Sequence, residues 1–192
     1  MLATVLPAML LAQSTPLTGP RRAEVLAAIA RTQQPPAGKT LCYSFVQTKH
    51  SPLLANDAVS KGKLNLGDGR SMQWQYTEPQ AFSLVVEGDS IYTVSGGKRQ
   101  SLTGAGGKMT RGLAQMMMQL TDGASLADDK LFETSLTEEG DSYRAVMVPK
   151  RRDMRRMMQQ AELLFDRKTL RIRSVTLTER NDSYTKIDFK LQ

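Results

Sequence analysis

The stretch GRSMQWQYTEPQAFSLVVEG, Gly69–Gly88, decides how the rest of the chain is read. Apolar Met72, Trp74 and Tyr76 alternate with polar Ser71, Gln73 and Gln75. The run then breaks at Thr77-Glu78-Pro79-Gln80 and resumes with Phe82, Leu84 and Val86 on one side, Ser83, Val85 and Glu87 on the other. A period of two on both sides of a Pro-containing turn predicts an antiparallel hairpin with one apolar face. That face carries the only tryptophan of the chain, and nothing beside it has the look of catalytic equipment.

The same period extends outward. Leu41, Tyr43 and Phe45 alternate with Cys42, Ser44 and Val46, a second strand spans Val59 to Leu66, and KHSPLLAND forms the loop between them. SIYTVSGGKRQSL reads as two short strands joined at Gly96-Gly97, a dipeptide that accepts the positive φ of a tight hairpin. LFETSLTEEGDSYRAVMVPK turns at Glu139-Gly140-Asp141, and AELLFDRKTLRIRSVTLTERNDSYTKIDFKLQ supplies three further strands.

Three segments change to helical spacing. RRAEVLAAIARTQQ, from Arg21 to Gln34, aligns Val25, Leu26, Ile29 and Ala30 and stops at Pro35-Pro36. MTRGLAQMMMQL aligns Met109, Leu113, Met116, Met117 and Leu120, and KRRDMRRMMQQ places Met154, Met157 and Met158 on one helix face and Arg151, Arg152, Arg155 and Arg156 over much of the remainder. The expected fold is mainly β with α: an antiparallel sheet of about ten or eleven strands, strongly twisted and therefore curled, with helices across its concave side. Those helices either fill the concavity as core or line a cavity. Seven of the eleven methionines lie in the second and third helical segments, and methionine repacks readily around irregular apolar partners.

A length of 192 residues suits one domain, and no run of eighteen apolar residues is present to span a bilayer as a helix. Lys and Arg total 26 against 19 Asp and Glu, a net charge of +7 that suits acidic partners or anionic membrane surfaces and is by itself only a weak pointer to nucleic acid, which the reading does not include. The opening MLATVLPAMLLAQS is apolar, lacks acidic residues and ends in small residues near Ala12-Gln13, as a secretory signal does, although no Lys or Arg precedes the apolar run. A hydrophobic first strand or helix is the other reading. The organisation expected is residues 1–13 as an export signal, 14–19 as a linker and 20–192 as one domain, monomeric.

Chemistry-bearing patterns are sparse. Cys42 is the only cysteine and reads as a half-buried strand thiol, and His50 is the only histidine, placed in the loop and not expected to be catalytic. GAGGKMT, Gly104–Thr110, lacks the phosphate-loop spacing: Leu102 stands where the first glycine belongs and Met109 where Ser or Thr is needed. Neighbouring acidic residues such as Glu138-Glu139 and Asp128-Asp129 fall in predicted turns. Neither a metal nor a cofactor is expected, and no Ser sits in a G-x-S-x-G elbow that would suggest a lipid hydrolase.

Taken in order, FVQTKH (Phe45–His50), GKLNL, MQWQYTEP and VVEGDSIYTV resemble the periplasmic outer-membrane lipoprotein carrier family, LolA, over most of residues 20–192. VMVPKRR adds a similarity to that family's L-x-P-K segment. The resemblance implies an unclosed antiparallel half-barrel with a helical lid, located in the periplasm, that holds the acyl chains of lipoproteins or of other lipids and ferries them toward the outer membrane. It also implies an inner-membrane release transporter and an outer-membrane acceptor as partners. On that resemblance Met72, Trp74, Phe82 and Leu84 face the cavity, and Leu113, Met116, Met117, Leu120, Met154, Met157 and Met158 line the lid. The family often has an Arg six residues before the hairpin Trp. Here Asp68 stands at that position and Arg70 is the nearest arginine, so either Arg70 takes over lid gating or the gating differs. The same fold used as a lipid-binding sensor or envelope-stress module is the alternative.

Overall fold

A computed structural model describes residues 14–68, 71–102, 124–127, 130–179 and 181–192. After a three-residue strand, β1 (Ser14–Pro16), the chain forms helix α1 (Gly19–Gln33). Pro20 opens the helix, where a missing N–H costs nothing, and Pro35 closes it by forcing Gln34 into extended backbone at ψ 134°. Val25, Leu26, Ile29 and Gln33 form its buried stripe. Six strands follow as a meander: β2 (Leu41–His50), β3 (Ala58–Gly67), β4 (Ser71–Glu78), β5 (Phe82–Glu87), β6 (Ser90–Ser95) and β7 (Lys98–Ser101). A 3-10 turn at Ala124–Ala127 precedes a second meander of β8 (Phe132–Glu139), β9 (Ser142–Pro149), β10 (Gln160–Asp166), β11 (Ile172–Thr178) and β12 (Tyr184–Leu191), with a short helix, α2 (Arg152–Met157), between β9 and β10.

The strands join into one antiparallel sheet of twelve, in the order β1-β8-β9-β10-β11-β12-β2-β3-β4-β5-β6-β7. The long-range step is β12 against β2, Tyr184 opposite His50 through Leu191 opposite Tyr43, which welds the two meanders together. The ends do not meet. β1 is only three residues long, and β7 is short, exposed and headed by Lys98-Arg99, features that keep a free edge from recruiting another strand.

One face of the sheet is largely apolar through its interior strands. Leu136, Ala145, Leu163, Val175 and Ile187 stand opposite one another across β8 to β12, and Leu64, Trp74 and Leu84 across β3 to β5. These residues and the stripe of α1 belong to a single buried cluster, so the sheet curls around the helix. α1 is tied to the β8–β11 part. Arg22 donates to the Thr134 carbonyl at 2.9 Å and Arg171 to the Thr32 carbonyl, while Gln33 donates to the Leu170 carbonyl at 2.6 Å and accepts from the Ile172 N–H at 3.3 Å.

Several expectations are corrected. The sheet has twelve strands rather than ten or eleven, because Ser14–Pro16, expected as linker, pairs with Thr137–Glu139. α1 begins at Gly19, inside that expected linker. His50 ends β2 instead of lying in the loop.

Candidate functional site

The apolar face is richest in rings where β2, β4, β5 and β12 meet. Phe82 lies 6.2 Å from Tyr76, Tyr76 5.3 Å from Phe45, Phe45 4.9 Å from Trp74, Trp74 5.9 Å from Phe189 and Phe189 6.0 Å from Tyr43, centroid to centroid. Six aromatic side chains thus form one unbroken series. Register explains their convergence: Phe189 stands opposite Phe45, Phe45 opposite Gly62, Gly62 opposite Tyr76 and Tyr76 opposite Phe82. Gly62 is required here, because a Cβ on it would come within 2.5 Å of the Phe45 ring and 2.0 Å of the Gln75 carbonyl.

Among the described residues no Asp, Glu, Lys, Arg or His is buried, and the buried polar side chains are Gln33, Ser83, Thr93 and Ser174. Two polar atoms lie buried within the ring series without a hydrogen bond, the Tyr43 hydroxyl and the Trp74 indole Nε1. Burial raises the Tyr43 pKa above the usual phenol range, opposed by the nearby Arg171 guanidinium. Tyr76 is likewise raised by burial, although its hydroxyl donates to Gln47 Oε1 at 2.8 Å. Both phenols are therefore neutral at physiological pH, and the face presents rings and aliphatic groups without charge. It suits an apolar ligand and offers little to a polar one.

Of the expected lining residues, Met72, Trp74 and Leu84 are buried on this face and Phe82 is half-buried beside Tyr76. Met154 packs half-buried against the core and Met158 is buried. Met157 is 48% exposed, and Met158 lies beyond the end of α2 in extended backbone, with φ −145°, so the three methionines do not share one helix face. Leu113, Met116, Met117, Leu120 and Arg70 lie outside the described residues. Asp68, in the position where the resemblance led us to expect an arginine, accepts the Gly38 N–H at 3.0 Å.

Sequence reading placed Tyr43, Phe45 and Tyr76 in strands without assigning them to the site, and missed Phe189 and Gly62. His50 also has more company than expected. Its Nδ1 lies 2.7 Å from Asp57, and its ring stacks on Tyr184 at 5.0 Å, at the end of the sheet and apart from the ring series. Among the described residues no hydroxyl or thiol hydrogen-bonds its other nitrogen, and no three His, Cys, Asp or Glu side chains gather as metal ligands.

Residues 37–192 match the model of the family described as outer membrane lipoprotein carrier protein LolA. No curated protein sequence matches the chain. Among solved structures, MucB is 12% identical with a TM-score of 0.51, the match covering 89% of this chain and 58% of MucB. A LolA superfamily protein from Nitrosomonas europaea is 12% identical with a TM-score of 0.40, covering 88% and 91% of the respective chains. The Mycobacterium tuberculosis lipoprotein LppX is 9% identical, with a TM-score of 0.41 and coverage of 88% and 91%. At such identities the likeness concerns the fold.

Proposed function

The chain belongs to the LolA family of outer membrane lipoprotein carrier proteins, and on that premise we propose that it is a non-catalytic carrier of acyl chains in the periplasm, taking lipoproteins or related lipids toward the outer membrane. The observation that carries the reading is the uncharged series of rings on one face of an unclosed sheet. An acyl chain of about sixteen carbons exposed to water is unfavourable by on the order of 12 kcal/mol, at about 0.8 kcal/mol per methylene. A carrier must remove most of that cost and still release its load. Ring faces and thioethers that adapt to a guest without directional bonds meet both demands. The Met-rich segment 109–120 is proposed as the lid, and an inner-membrane release transporter and an outer-membrane acceptor as the partners at the two ends of the journey.

Trp74 makes the reading testable, since it is the only tryptophan. A diacylated lipopeptide with brominated chains should quench its emission saturably, while the unbrominated lipopeptide competes and raises the melting temperature. Quenching shows chain contact at this face. Release of a lipoprotein from inner-membrane vesicles into the soluble fraction, dependent on the protein, tests the carrier role. No quenching and no thermal protection would overturn the acyl-chain reading, and quenching without release would confine it to binding.

A further inference from the structure

Strand polarity brings two separated features to one end of the sheet. The loop Ser51–Asp57 leaves β2 at His50, and His50 pairs with Tyr184, the first residue of β12. Tyr184 pairs with Thr178, the last residue of β11, and Thr178 pairs with Gln160, the first of β10. α2 enters β10 at that same end. The β2–β3 loop and α2 thus flank one rim, three strand spacings or roughly 15 Å apart.

Both features are unusual for a solvated surface. Leu53 at the loop tip is 94% exposed and Leu54 beside it 56%, two adjacent large apolar side chains held out in water. The loop that carries them is braced, with the Leu54 N–H bonded to the Ser51 carbonyl at 3.0 Å and His50 joined to Asp57 across its base. On α2 the exposed Met157 projects among arginines, and Lys150, Arg152, Arg155 and Arg156 line a shallow concavity of about 650 Å³. Of the carboxylates at this rim, Asp153 is engaged by Arg151, Asp57 by His50 and Glu78 by Lys61, while Glu179 and Asp182 in the β11–β12 turn have no ion pair among the described residues. Arg152, Arg155 and Arg156 have no carboxylate partner among the described residues.

We propose that this rim docks on an anionic lipid bilayer, the α2 arginines taking the phosphate headgroups and Leu53, Leu54 and Met157 entering the headgroup–acyl boundary. Arginine forks match phosphate oxygens. Exposed apolar side chains at the same end of the sheet gain from shallow insertion, as in interfacial helices. A bilayer is favoured over an acidic protein because the exposed apolar groups are divided between a loop tip, Leu53 and Leu54, and a helix end, Met157, roughly 15 Å apart along the rim. A fluid interface needs no shape complementarity. The proposal is independent of the acyl-chain reading, although a cargo face that opens beside a membrane-docked rim would shorten the path of a transferred chain.

Co-sedimentation of the whole protein with vesicles provides the test, using phosphatidylcholine alone and phosphatidylcholine with one quarter phosphatidylglycerol. Binding should be at least tenfold tighter to the anionic vesicles and fall steeply toward about 1 M salt, where the screening length is about 3 Å. The combined change Arg152→Glu, Arg155→Glu and Arg156→Glu should abolish the preference. Leu53→Ser with Leu54→Ser should weaken anionic binding about tenfold and leave the melting temperature unchanged, since both side chains are exposed. Reversing three exposed lysines at the opposite end, Lys39→Glu, Lys168→Glu and Lys190→Glu, changes the net charge equally and should leave the preference intact. Binding of neither vesicle by wild type, as an acidic protein partner would give, overturns the proposal. So does equal binding of both vesicles, or loss of the preference in the lysine control as complete as in the arginine variant.

Discussion

Gly62→Ala tests the packing that holds the ring series together. The added methyl would lie 2.0 Å from the Gln75 carbonyl oxygen and 2.5 and 2.7 Å from two carbons of the Phe45 ring. Ordinary contacts at these pairs exceed 3 Å, so something must move by about an ångström. The carbonyl belongs to the backbone of β4 and cannot rotate away. The ring is confined by Trp74 at 4.9 Å and Tyr76 at 5.3 Å. Overpacking of a fixed core costs 1–3 kcal/mol, and a clash with backbone belongs at the upper end, about 3 kcal/mol. For a domain of this size that lowers the melting temperature by about 6–12 °C. Gly67→Ala is the matched control in the same strand: among the described residues its Cβ meets Ser71 alone, at 3.3 Å from Cβ and 3.4 Å from Oγ, and the smaller entropy of an unfolded chain with Ala offsets that crowding. Urea melts followed by far-UV circular dichroism and by Trp74 emission compare the two. Equal midpoints for both variants would refute the reasoning, because Phe45 would then have free space.

Gln33→Ala leaves the Leu170 carbonyl and the Ile172 N–H without their partner and should cost about 2–3 kcal/mol in urea melts; a loss below about 0.5 kcal/mol would show that water replaces it. Thr134→Val removes a buried hydroxyl that has no hydrogen bond and should be neutral or stabilising by about 1 kcal/mol, an expectation that a clear loss of stability would contradict. The Asp166 carboxyl is held to about 2, first by the Thr169 N–H and then by its hydroxyl, the Lys168 N–H and Arg173, with burial opposing. Because the folded value is depressed, its contribution is complete above about pH 4 and is lost as pH falls toward 2. Thermal melts of Asp166→Asn should therefore converge on wild type across that window, and a gap unchanged at pH 2 would exclude this origin.

What was legible in the sequence follows from the range of the interactions involved. Alternation revealed the hairpin and put Met72, Trp74 and Leu84 on its apolar face, because a pleat repeats every two residues whatever its neighbours are. β1 escaped notice because three residues, one of them Pro16, carry no period and are strand only through their pairing with β8. The convergence of rings was equally hidden. Phe189 reaches Trp74 only because β12 adds to β2 in one register, a pairing across more than 130 positions that local pattern cannot supply. A glycine inside GKLNL does signal close approach of something to a strand. That the something is Phe45 depends again on register. The single face expected for Met154, Met157 and Met158 failed for a different reason: α2 ends at Met157, and helical spacing was extended past that point to Met158, where the 100° step has no meaning.

The two parts of the apolar face are held by different kinds of force, and the difference bears on function. α1 is fixed over β8–β11 by directional bonds at both of its ends, Arg22 to Thr134 at the first and Gln33 and Arg171 at the other. Sliding or lifting the helix would break several together, each at about 1 kcal/mol or more. The rings of β2, β4, β5 and β12 are joined by contacts of about 0.5–1.5 kcal/mol that fall off gradually with tilt and distance, and Tyr76 alone among them is pinned by a hydrogen bond. An apolar guest can part such rings and recover the lost contact area with its own surface, whereas it could not repay broken bonds at α1. On the carrier reading proposed above, the helix half is thus the scaffold, and the aromatic half is the portion of the core that would yield to a guest while the sheet stays folded.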